Sequence, residues 1–238
     1  MVQVHKVAEG RHILRERMIL FMADWLQFLR INLNNILNLT LEHIVLVGLA
    51  LIIAIIIGVT LGIYLTTNDE LAEIVLQAAS VMMTVPSIAL FGIMIPVFSL
   101  INQGIGFVPA VVALILYSQL PIIRNTYTAI KNVSPEVKDA AKGIGMKTSQ
   151  QLFRVEIPNA LPVIMAGIRT AVVLNIGIGV IAAFIGAGGL GSLIVQGINR
   201  GDHYSIITGA VAVSLLAIVA DSMLMLIQKK LTPRGLES

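Results

Sequence analysis

Long apolar stretches separated by short polar ones dominate this chain. Four stretches without a charged side chain run over residues 44–66, 74–101, 104–123 and 170–199, and a fifth, 204–227, contains one charge, Asp221. A hydrocarbon core about 30 Å thick takes about 20 residues of helix, and every backbone amide must find its partner within that helix. The pattern therefore predicts an all-α integral membrane protein with about five transmembrane helices, over about 44–66, 74–101, 104–123, 159–187 and 204–227. The second contains Pro86 and Pro96 and is expected to be one tilted, kinked helix. The glycines from Gly186 to Gly191 are expected to end the fourth helix and open a loop or re-entrant segment.

Composition excludes a soluble domain. Hydrophobic residues make up 57% of the 238 positions and charged residues 12%, against about 25% charged in an ordinary soluble domain. The absence of cysteine removes disulfides and thiol chemistry, and the four histidines lack metal-ligand spacing. His43 and His203 fall near expected membrane boundaries and read as interfacial. No paired intramembrane carboxylates, Ser/His dyad or metal motif points to an enzyme. The formal charge of +3 is placed as topology and not as a nucleic-acid surface.

Of the sixteen Lys and Arg, five precede Asn32, none lies between 32 and 123, and six fall between Arg124 and Arg154. By the positive-inside rule this loop and the Lys229–Lys230 tail (residues 231–238 following) are cytoplasmic, and two spans between them give the right parity. The first span then enters from outside, which leaves residues 1–38 with five basic side chains on the unfavoured side. Residues 18–37 contain Asp24, Arg30, Asn32, Asn34 and Asn35, and a central Asp or Arg costs about 2.5–3.5 kcal/mol on insertion. An amphipathic helix at the outer interface, anchored by Trp25 and Phe28, is the expectation. A sixth span, or translation starting at Met18 or Met22, are the alternatives.

The loop over residues 134–158 has the composition of helices. Ser134-Pro135-Glu136 starts one with an N-cap, a first-turn proline and an acid against the dipole. Thr148 and Ser149 start a second, and Pro158 and Pro162 punctuate the entry to the next span. Two short helices joined by a glycine turn make a projection, and a projection suggests a docking partner.

Asp139-Ala140-Ala141, then Gly145, then Val155-Glu156-Ile157-Pro158 resembles the EAA loop of binding-protein-dependent ABC importer permeases. That motif reads E-A-A, three residues, Gly, nine residues, I-x-L-P. The spacing is kept, with Asp for Glu, Val for Ile and Ile for Leu. The resemblance implies a type I permease domain over residues 39–230. Asp139, Ala140, Ala141, Gly143 and Gly145 would dock on an ABC ATPase dimer, and Val155, Ile157 and Pro158 would link that element to the fourth span. It also implies a second permease, identical or homologous, an extracytoplasmic substrate-binding protein and a prokaryotic cytoplasmic membrane. With no GxxxxGK[ST] loop here, the chain is read as a transport subunit without cofactors of its own, ATP and Mg belonging to the ATPase. Thr84 to Gly92, Gly167 to Gly191 and Leu231 to Leu236 look like permeases for glycine betaine, choline or carnitine. An amino acid importer permease or a self-contained secondary transporter is the alternative.

Single residues add candidates. Arg169 and Asp221 are ionisable groups within spans, where charge is expensive and pairs or faces a cavity. They are expected to pair between helices, structurally or as part of a gate. Pro86, with Ser87, marks either a kink beside a solute pathway or a packing kink. Asn175 either lines the pathway or bonds across helices.

Overall fold

The computed structural model describes residues 2–232, with side chains from residue 15 onward. Its helices are α1 (Val2–Leu65), α2 (Asp69–Thr84), α3 (Ser87–Ser99), α4 (Phe107–Lys131), α5 (Pro135–Gly143), α6 (Thr148–Gln151), α7 (Ile157–Ile181), α8 (Gly191–Arg200) and α9 (His203–Leu231). No strand occurs among the described residues. The segments Arg15–Leu65, Phe107–Lys131, Thr148–Ile185 and His203–Leu231 are each long and apolar enough to cross a membrane. The α2–α3 pair qualifies only when taken together.

Three expectations about the elements are corrected. The expected boundary at residue 38 does not appear among the described residues, because α1 continues without interruption from Val2 through residue 38 to Leu65. At 1.5 Å per residue its 64 residues extend about 96 Å, three times a hydrocarbon core. The sequence has no Gly between Gly10 and Gly48 and no Pro before Pro86, so nothing in the backbone ends the helix there. The amino-terminal part rests on the start of α9. Trp25 Nε1 donates to Thr208 Oγ1 at 2.9 Å, and the Phe21 ring lies 5.3 Å from that of Tyr204.

The second correction concerns Pro86. The axes of α2 and α3 differ by 102°, far more than a kink. The helices are about 24 and 20 Å long, so neither covers the core alone. Val85 is extended, as the residue before a proline prefers, and the Tyr117 hydroxyl donates to its carbonyl.

The third concerns Pro158 and Pro162, which end nothing. One turn of π-helix, Leu152–Glu156, joins α6 to α7, so the helix runs unbroken from Thr148 to Ile185. Ile157 N–H reaches back to Leu152 O in the wide turn. That turn accommodates the Pro158 ring, which would collide with the carbonyl four residues earlier in a regular α-helix.

Helix α4 is the centre of the bundle, packed between α1 and α7. Small residues allow the close approach. A side chain at Gly58 or Gly62 of α1 would strike Ile122 or Thr126 of α4. A Cβ at Gly167 of α7 would sit 2.6 Å from both Pro121 O and Asn125 Cβ. The carboxyl-terminal helix α9 fully buries only Thr208 and Gly209. Val213, Leu216, Ala220 and Leu224 pack partly against the core, while Leu215, Ile218 and Leu226 face outward as on a lipid-facing helix.

Helix α7 thus offers a direct packing test. Gly167→Ala forces backbone apart and is expected to cost about 1–3 kcal/mol as overpacking. Gly177→Ala meets nothing within 4 Å and is expected to be neutral or stabilising by up to about 1 kcal/mol. Thermal denaturation of the two variants in detergent checks the contrast.

Candidate functional site

The projection at one end of the molecule is built from α5, α6 and the π turn. Ser134 precedes α5 with Pro135 at its first position. The Ser134 hydroxyl donates to the Glu136 carboxylate, and this bond holds the Glu136 carboxyl below the usual range. At the far end Gly145 has φ +79°. Its N–H bonds Lys142 O at 2.9 Å and Met146 N–H bonds Ala141 O at 3.1 Å. These two bonds with a left-handed residue make a Schellman cap, which strongly favours glycine at that position. Gln150 Oε1 then accepts from Lys147 N–H at 3.0 Å and starts α6.

The projection is fastened to the bundle. Lys138 Nζ donates to Ile130 O at 3.0 Å and so caps the end of α4. Lys131, also at that end, pairs with Asp69 at 2.6 Å, and the Tyr127 hydroxyl donates to the same carboxylate at 2.9 Å. The ends of α2, α4 and α5 are thereby linked.

Within the projection the candidate residues divide by exposure. Asp139, Ala140, Gly143 and Gly145 are exposed, Ala141 is buried within the chain itself, and Val155, Ile157 and Pro158 are half-buried. Asp139 makes a local pair with Lys142 at 3.6 Å. Beside them Ile144 is 76% and Phe153 67% exposed, large apolar side chains on a surface otherwise rich in charge. A Cβ at Gly143 or Gly145 would meet nothing within 4 Å, so the space above both is open.

Arg169 and Asp221 lie together between α7 and α9. Arg169 Nε and an Nη donate to the two carboxylate oxygens of Asp221 at 2.8 and 2.9 Å, a bidentate pair. The other Nη donates to Gln228 Oε1 at 3.0 Å, and Gln228 Nε2 donates to Pro162 O, also at 3.0 Å. Gln228, which the sequence did not single out, thus completes a chain of polar contacts from α9 to the first turns of α7. Asn175 is fully buried and donates to Ser118 Oγ at 2.7 Å and Leu114 O at 3.2 Å on α4. Pro86 is exposed and Ser87 half-buried at the sharp α2–α3 corner, apart from the Arg169 cluster.

At the opposite end the glycine loop turns the chain back. Gly186, Gly188 and Gly189 all have positive φ. Gly106 N–H bonds Ile185 O at 2.8 Å, and Gly189 N–H bonds the Glu42 carboxylate at 3.0 Å. His43 is not interfacial. It is fully buried, its Nε2 is 3.1 Å from Ile176 O, and Gly179 and Gly189 leave room for the ring. No single stretch of sequence signals this packing, because its partners lie over 130 residues away. Glu42 had a signal: it is the one carboxylate between Asp24 and Asp69.

The family model described as binding-protein-dependent transport system inner membrane component matches residues 51–234. The chain belongs to that family. It is a multi-pass membrane permease, and the ATPase of such a system is a separate chain. It is 53% identical over 90% of its length to the osmoprotectant import permease protein OsmW of Salmonella typhimurium, covering 99% of that protein. It is 43% identical over 91% of its length to the choline transport system permease protein OpuBB of Bacillus subtilis, covering 97% of it. Among solved structures, the inward-facing MetNI methionine ABC transporter gives a TM-score of 0.76 at 21% identity, covering 83% of this chain and 96% of that one. An amino acid ABC transporter gives 0.72 at 16% identity, covering 87% and 98%. At these identities the structures establish the fold alone. The comparisons thus agree with the type I permease fold that the EAA-like loop implied.

The permease's ion pair yields a reciprocal test. Asp221→Arg or Arg169→Asp sets like charges against each other within the spans and is expected to lower the yield of folded permease severalfold. The double reversal should restore most of it, measured by gel-filtration recovery from membranes. No recovery in the double variant would show that the two side chains do not act as a pair.

Proposed function

We propose that this permease is the membrane-spanning subunit of an ATP-driven importer for a quaternary-ammonium osmoprotectant such as glycine betaine, choline or carnitine. The observation that carries the solute class is the 53% identity, along nearly the whole of both chains, to a protein named for osmoprotectant import. Two relatives at 43% identity are named for choline and for glycine betaine, carnitine and choline. The amino acid alternative rests on fold likeness only.

In this reading the end that bears the projection faces the cytoplasm. Six Lys and Arg between 124 and 154, with Lys229 and Lys230 at the end of α9, favour that side. Asp139, Ala140, Gly143 and Gly145 form the contact with an ATPase dimer, Ile144 and Phe153 adding apolar area. Ala141 acts from inside, holding the element's shape. ATP and Mg bind the ATPase chains, a second permease completes the pathway, and an external binding protein delivers the solute.

Displacement of the projection passes to the membrane through the unbroken helix from Thr148 to Ile185. Val155, Ile157 and Pro158 lie in the π turn and the first turn of α7, so they transmit movement as part of one rod. The Arg169–Asp221–Gln228 contacts carry the same movement from α7 to α9.

Gly145→Trp tests the docking reading, since it strains the Schellman cap and fills the open space above it. With the tagged permease purified from its native host, an ATPase should remain bound to the wild type and be lost from the variant. Gly177→Trp, far from the projection, serves as the bulk control. An ATPase retained equally by Gly145→Trp, or absent from the wild type in several mild detergents, would contradict the proposal.

A further inference from the structure

The end of the molecule opposite the projection holds a pocket of about 470 Å³ lined by Asn38, Leu41, Glu42, Val45, Phe107 and Ala187. We propose that this pocket binds a small quaternary ammonium solute at the external mouth of the permease. The inference rests on the osmoprotectant reading for its choice of solute and extends it to a site on this chain.

Three elements meet to make the pocket. Glu42 comes from α1, Phe107 from the first turn of α4 and Ala187 from the glycine loop. The bond from Gly189 N–H fixes one Glu42 carboxylate oxygen at 3.0 Å. Gly106, at φ +97°, bonds Ile185 O and sets where Phe107 begins its helix. The loop therefore holds both the charged and the aromatic wall in place.

Electrostatics select a cation. Glu42 has no ion-pair partner among the described residues, and no Lys or Arg occurs between Arg30 and Arg124. Glu42 is exposed, so its negative charge is open to a cation that enters the pocket. A quaternary ammonium has no N–H to donate and needs only charge attraction and apolar contact. Glu42 supplies the first, and Leu41, Val45, Ala187 and the Phe107 ring supply the second, with a cation–π component. Calcium or magnesium would need six or more oxygen ligands and zinc four, and the lining offers one carboxylate and one amide.

The same arrangement discriminates among quaternary ammonium solutes. Choline is a net cation and gains the full attraction of Glu42. Glycine betaine and carnitine bring a carboxylate of their own, which Glu42 repels and only Asn38 can receive. The pocket is therefore expected to prefer choline to the zwitterions.

The test uses the full-length permease with its co-purified partners in nanodiscs of choline-free lipid, with no binding protein added. Equilibrium dialysis with radiolabelled choline should show saturable binding, with glycine betaine a weaker competitor. Glu42→Gln keeps an acceptor for Gly189 N–H while removing the charge, and should weaken binding about tenfold. Phe107→Leu should weaken it severalfold. Absence of saturable binding, or equal binding by wild type and Glu42→Gln, overturns the inference. In discs containing phosphatidylcholine, unchanged choline binding supports a free solute, whereas loss of binding assigns the pocket to lipid headgroups and overturns it. Uptake into proteoliposomes with the binding protein separates the two readings. Normal uptake without choline binding in discs sinks the pocket alone, and wild-type complex that imports no quaternary ammonium sinks the proposed solute class.

Discussion

A hydrocarbon interior offers no water to an unpaired amide, so a membrane helix can break only where something else takes over its hydrogen bonds. The architecture of this permease follows from where it meets that condition. At the α2–α3 corner Tyr117 of α4 donates to the carbonyl of the half-buried Val85. At the glycine loop Gly106 N–H and the Glu42 carboxylate serve Ile185 O and Gly189 N–H. At Pro158 a π turn supplies the room a regular turn lacks, and the helix continues. Two of these solutions change the chain's direction. The third preserves it, and that is what connects the projection to the membrane as a single helix.

Small residues and paired polar groups then hold the helices in register. Gly58, Gly62 and Gly167 bring α1 and α7 against α4, and Asn175 bonds Ser118 across the α4–α7 contact. With little hydrophobic force between helices in lipid, such close packing and interhelix bonds take its place. The Arg169–Asp221 pair belongs to the same set of devices, and Gln228 extends it to Pro162 O. Helix α7 is thus tied to α4 on one side and α9 on the other, and it ends in the element proposed to touch the ATPase.

The spans and the loop motif were legible because lipid imposes a coarse pattern and the EAA-like spacing is local. The glycines from Gly186 end a helix as expected, whereas that helix starts at Thr148, well before the expected limit at residue 159. Continuity was harder to read. Asp24, Arg30 and three asparagines suggested a boundary that the absence of Gly and Pro from 11 to 47 argued against, and the backbone followed the latter. Pro158 and Pro162 read as punctuation because a π turn has no sequence signature. Ala141 and Asp139 look alike in the motif, yet one faces the interior and the other solvent. Gln228 and His43 acquire their surroundings from segments far away in sequence, which no local pattern reveals.

The central claim is that the projection and α7 move as one body. This chain has no cysteine, so Ser149→Cys on α6 and Val173→Cys on α7 can be spin-labelled in the assembled importer without background from the permease, once accessible cysteines of the ATPase chains are replaced. Pulsed electron–electron double resonance should give an intrachain 149–173 distance that is the same with and without trapped ATP, while the distance between residues 149 of the two permeases shortens. An intrachain distance that changes as much as the interchain one would mean that the helix flexes at the π turn, and the rigid connection would be refuted.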